Sequence, residues 1–95
     1  MKKNKPIKST RKNKKYMVLN DNNNIVHFGD KRYEQFRDDI GLYKNLNHND
    51  KERQKNYCKR SSAIRDGKGK LTKNDIDSAN YWSMKLLWDC DNVKF

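Results

Sequence analysis

Four side chains in this sequence carry atoms that hold metals or act as nucleophiles: His27, His48, Cys58 and Cys90. Structural zinc sites draw their ligands in closely paired sets, and none of these four has such a neighbour. No serine stands at a known triad spacing from a histidine and an aspartate, and the glycines form no phosphate-cradling pattern. Lys68-Gly69-Lys70 could touch a phosphate, yet Asp66–Lys70 also has the composition of a solvated basic loop. The chemistry-bearing residues therefore point away from catalysis, and no metal, cofactor or small-molecule substrate is expected.

Charge points elsewhere. The chain has 95 residues and a net charge of +11. Residues 1–15 hold Lys2, Lys3, Lys5, Lys8, Arg11, Lys12, Lys14 and Lys15 with no acid, a local +8 that leaves only +3 for residues 16–95. A like-charge block repels itself, so residues 1–15 are expected to form a flexible basic arm. Such an arm is either a solubilising tail or an electrostatic tether to nucleic acid or an acidic protein surface. Basic and aromatic residues also alternate in Lys31-Arg32-Tyr33 and from Arg53 through Tyr57 to Arg60. Cations neutralise phosphates and an exposed tyrosine stacks on a base. The simpler reading puts these tyrosines in the core and pairs the arginines with Asp30, Asp38 and Asp50.

The positioning elements must come from residues 16–95, read as one small α+β domain. Only 33% of the chain is hydrophobic and 37% is charged, with a mean hydropathy of -1.37. The core must then lean on Tyr16, Phe28, Tyr33, Phe36, Tyr43, Tyr57, Tyr81, Trp82 and Trp88. Tyr16–Leu19 and Ile25–Phe28 are β-prone runs about an asparagine-rich loop, which reads as a two-stranded hairpin. About three short helices follow. Asp30 is placed to cap the first, over 31–38; Asp50 the second, to about Ser61 or Ile64; Ser78 the third, to about Trp88.

Two cysteines are too few for a disulfide framework, and no apolar signal segment follows the basic start. Cys58 and Cys90 are therefore expected as free thiols in a reducing, intracellular compartment. No stretch approaches the length of a membrane span.

The string His27-Phe28-Gly29-Asp30-Lys31-Arg32-Tyr33 is followed by His48 to Arg60 and by Ser78-Ala79-Asn80-Tyr81-Trp82-Ser83-Met84-Lys85-Leu86-Leu87-Trp88. Over residues 27–88 this resembles a family of small basic, virion-associated proteins encoded by large DNA viruses of protists and algae. A related Phe-Gly-Asp and Tyr-Trp-Ser pattern is similar in tailed-phage proteins. Arg60-Ser61 departs from the family's usual Arg-His, so no role passes to a histidine there. The resemblance implies a structural motif of Phe28, Gly29, Asp30, Arg53, Tyr57, Arg60, Tyr81, Trp82 and Trp88, with the Phe-Gly-Asp turn bracing the hairpin against the helices.

Two functions follow as expectations. One is a minor capsid or cement protein of a virus particle, made in the host cytoplasm and docked on larger capsid proteins with the arm as tether. The other is a non-sequence-specific nucleic-acid-binding protein packaged with the genome. In both, the contacting residues are the eight arm cations with Lys68 and Lys70.

Overall fold

A computed structural model describes residues 1–93 of the chain. Three antiparallel strands, β1 (Ile7–Lys8), β2 (Lys14–Leu19) and β3 (Ile25–Asp30), form a sheet in the order β1-β2-β3. Two α-helices follow, α1 (Lys51–Ser61) and α2 (Ala79–Leu86), with short 3-10 turns at Lys44–Leu46, Thr72–Asn74 and Cys90–Asn92. The fold is α+β, but it corrects the expected two strands and three helices in two places.

The first correction is the third strand. Ile7 pairs with Met17 and Lys8 with Tyr16. Asn4 and Ser9 donate backbone N–H bonds to Leu19 and Lys15. A central strand has main-chain groups to satisfy on both sides, and residues 4–9 satisfy the side that β3 leaves open. Lys3, Lys5 and Lys8 keep their side chains in water, so pairing this segment buries none of their charge. Asn4 and Asn13 take left-handed backbone, φ 60° and 67°, which asparagine tolerates. Ser9 is buried, with its Oγ 2.7 Å from His27 Nδ1. Residues 3–9 thus pair along β2, and Lys14 and Lys15 begin β2 itself, where the charge pattern alone suggests an irregular arm.

The second correction is residues 31–38, which are not helical. Lys31 N–H bonds to Asn13 and Tyr33 N–H to Asp30, closing a turn. Beyond it the chain runs extended: Gln35 N–H donates to Leu46 O and its carbonyl accepts from His48 N–H, and Arg37 and Asp39 donate to Leu87 and Leu86. Tertiary partners supply what a helix would have supplied internally, and local propensity yields to them.

The loop between β2 and β3 is held by Asn20, fully buried, whose Oδ1 accepts from the N–H of Asn22 and Asn24. Its Nδ2 donates to Ile76 and Asp77, tying the hairpin tip to the segment before α2. Asp50 caps α1, accepting from Glu52 and Arg53, and Ser78 caps α2 through Asn80 N–H. These are the caps expected from the sequence.

Register places Tyr16, Val18, Val26 and Phe28 on one sheet face, where they pack with Trp82 and Leu87 as the core. Trp82 lies with its ring centroid 6.3 Å from that of Phe28 and donates Nε1–H to Ile76 O. Tyr33 departs from the expected core, being 65% exposed. Cys58 and Cys90 are joined in a disulfide, correcting the expected free thiols. The left-handed Asp89 turns the chain so that Cys90 reaches α1 across 32 residues of sequence. No described helix is long and apolar enough to cross a membrane.

A candidate polyanion-binding groove

Where β2 and β3 meet the turn after Asp30, the faces of α1 and α2 stand apart and leave a groove of about 830 Å³. Lys14, Lys15, Gly29 and Asp30 come to it from the sheet, and Arg32, Tyr33, Glu34 and Gln35 from the turn. Arg53, Asn56, Tyr57 and Arg60 come from α1, where spacings of three and four put them along one side of the helix. Ala79, Asn80, Ser83, Leu87 and Trp88 close it from α2 and its end.

The five cations of this lining outnumber its two acids. Arg32 is held by Asp30 in a two-point pair, and Arg53 lies 3.2 Å from Glu34. The Arg32 side chain and its backbone N–H hold the Asp30 carboxyl at about 2. Lys14, Lys15 and Arg60 have no carboxylate partner among the described residues, so the surplus charge of the groove is theirs. Burial pushes the Lys15 ammonium below its usual value, opposed by the fields of Asp38 and Asp30.

One wall is aromatic. Tyr57 and Trp88 stack at 3.9 Å with 8° between planes. Gln54 Nε2 donates to the carbonyls of Trp88 and Asp89, and the adjacent disulfide fixes the same segment to α1. Burial raises the Tyr57 hydroxyl, so it stays a neutral phenol at neutral pH. Gly29 sits at the floor with φ 75°; a Cβ there would come within 2.8 Å of Leu87 Cδ1.

The sequence-derived site residues divide clearly. Lys14, Lys15, Gly29, Asp30, Arg53, Tyr57, Arg60 and Trp88 converge on the groove. Phe28 and Trp82 belong to the core, and Tyr81 packs edge-on against Trp82 with Lys85 Nζ 5.5 Å from its ring centre. Lys2, Lys3, Lys5, Lys8, Arg11 and Lys12 are exposed around β1 and outside the groove. Lys68 and Lys70 stand apart on a loop whose backbone N–H groups bond to Asp66. Asp30 caps no helix; its carboxylate is taken by Arg32. Asn56, Gln35 and Ser83 join the groove lining without being marked by charge or motif. Asn56 falls one turn from Arg53 and Arg60 and was reachable from helical spacing. Gln35 and Ser83 reach the groove only through the tertiary course of 31–39.

The class defined here is a small α+β protein with a three-stranded sheet, two helices and a basic groove between them. Within that class, the chain belongs to the Family of unknown function (DUF5754), which matches residues 5–61. The matched span carries all five groove cations and all three strands, and ends with α1. No curated protein and no solved structure matches the chain.

Proposed function

We propose that this protein is a non-enzymatic component of a virus particle that binds nucleic acid through its phosphate backbone. The single observation that carries the binding is the groove with Lys14, Lys15 and Arg60 unpaired beside the stacked Tyr57 and Trp88. Cations without a carboxylate partner give affinity for a polyanion and no base readout. The exposed lysines around β1 extend the same positive field, which steers a polyanion toward the fold. The particle context rests on the sequence resemblance. Anisotropy of a labelled single-stranded oligonucleotide at about 50 and about 200 mM salt tests the binding, with a log–log slope steeper than about −2 expected. A flat salt response, or no binding at the lower salt, overturns it.

A second reading, docking on a larger capsid protein, has its own observation. Register puts Ile7, Met17, Leu19 and Ile25 on the sheet face opposite the core, with Ile7 45% and Ile25 55% exposed. An exposed apolar patch suits a protein partner. With Ile7 and Lys8 paired to β2, this reading leans on the sheet face. Purified particles lacking an Ile7→Lys, Ile25→Lys variant, but retaining a Lys14→Gln, Arg60→Gln variant, would favour it over the first.

A further inference from the structure

We infer that the buried ammonium of Lys15 is the seat of a single phosphate group, the point at which the groove grips a backbone; this rests on the nucleic-acid reading above. Lys15 is 2% exposed. Its Nζ donates to the carbonyl oxygen of Tyr33 at 3.0 Å and to Gln35 Oε1, both neutral acceptors. An ammonium has three N–H donors, so one is left without an acceptor among the described residues.

No carboxylate bonds to this ammonium; Asp38 and Asp30 reach it only through their fields. Asp30 is taken by Arg32. The Asp38 oxygens are occupied by the Tyr16 hydroxyl and by the N–H groups of Ile40, Gly41 and Tyr43. A buried charge whose direct hydrogen-bond partners are all neutral is a costly arrangement, and an incoming anion relieves it. The arrangement is not sealed inside the core: Lys15, Tyr33 and Gln35 all line the groove. Gly29 is what lets the lysine lie there, since a Cβ at that position would stand 3.1 Å from Lys15 Cδ and 3.2 Å from its Cβ.

Lys14 and Arg60 line the same groove and add unpaired positive charge around the seat. Asp30 and Glu34 line it too and oppose an anion, but each is matched by its arginine. The ligand chemistry is therefore a phosphate with free oxygens, supplied by a backbone phosphodiester or by free phosphate.

The test uses the full chain and two probes, a labelled single-stranded oligonucleotide and inorganic phosphate. Lys15→Met keeps the apolar stem and removes the charge. It should weaken oligonucleotide binding by about tenfold or more, as loss of a charge-assisted hydrogen bond requires, while Lys68→Gln changes it by less than about twofold. Equal binding by wild type and Lys15→Met overturns the seat and leaves the nucleic-acid reading standing. In case Lys15→Met does not fold, amide resonances of the wild type are followed with inorganic phosphate. Saturable shifts at Lys15, Tyr33 and Gln35 support the seat; their absence, or shifts confined to residues 2–12, overturns it. Those shifts without oligonucleotide binding keep the phosphate seat and overturn the nucleic-acid reading.

Discussion

The Tyr16 hydroxyl donates to Asp38 Oδ2 at 2.6 Å, and both residues are buried, one in the sheet and one in a segment with no regular structure. Asp38 also accepts from the N–H groups of Ile40, Gly41 and Tyr43, and the Tyr16 oxygen accepts from Leu42 N–H. One carboxylate thus organises residues 38–43 and anchors them to β2. Burial alone would raise this carboxyl, but the Tyr16 hydroxyl and the backbone donors outweigh it and hold it below its ordinary 3.8. Asp38→Ala should cost about 3–5 kcal/mol, since it strands several buried donors. Tyr16→Phe should cost about 1–2 kcal/mol, and the two losses should be strongly non-additive. Urea denaturation of both single variants and the double variant measures this, and additive losses would contradict a shared network.

The acid limb of stability follows from the same groups. Asp30 is lowered to about 2 by Arg32, and Asp38, Asp66 and Asp77 are lowered by their hydrogen bonds. A carboxyl whose folded value is depressed stabilises the fold above its unfolded value and loses that contribution as pH falls through the folded one. The melting temperature should therefore fall steadily from about pH 4 to about pH 2. His27 and His48 are lowered chiefly by burial, with nearby cations adding, so protonation in the unfolded chain should start a shallower decline below about pH 6.5. A melting temperature that held constant down to pH 3 would refute the assignment.

Gly29 is tested by Gly29→Ala. Its φ of 75° strains any side chain, and the new Cβ meets the buried Leu87 at 2.8 Å. A loss of about 2–4 kcal/mol is expected from backbone strain and overpacking together. A loss under about 1 kcal/mol would mean that Leu87 and Lys15 yield without consequence.

The disulfide closes 32 residues of sequence between α1 and the segment after α2. Reduction should cost about 3–4 kcal/mol by the chain-entropy argument. It should also free the segment that presses Trp88 onto Tyr57, so Trp88 fluorescence should change before the core Trp82 is exposed. Denaturant curves with and without a thiol reductant, on a Trp82→Phe background, separate the two signals. Unchanged emission and unchanged stability on reduction would contradict the bracing role.

Much of this fold was legible where the signal was local. The β2–β3 hairpin follows from Tyr16–Leu19 and Ile25–Phe28 flanking asparagines, and α1 and α2 start at the caps that Asp50 and Ser78 mark. What was not legible depends on distant partners. β1 exists because β2 has an open edge, and its lysines hide the pairing behind their charge. Residues 31–38 look helical by spacing, yet the Leu46 and Leu87 carbonyls and Asn47 Oδ1 take the N–H groups of Gln35, Arg37 and Asp38. The groove was half legible. Spacing and resemblance mark Arg53, Tyr57 and Arg60, but the charge run makes Lys15 look like one more arm cation when it is the most buried of them.

The central claim, that the groove and not the exposed basic segment holds nucleic acid, is met most directly by one titration. Full-length protein, a Lys14→Gln, Arg60→Gln variant and a Lys2→Gln, Lys3→Gln, Lys5→Gln variant are titrated with one labelled single strand at about 150 mM salt. The groove variant should lose about tenfold or more in affinity, and the other should lose only about two- to threefold, through weaker long-range attraction. The reverse order, with affinity following the exposed lysines and indifferent to Lys14 and Arg60, would contradict the account.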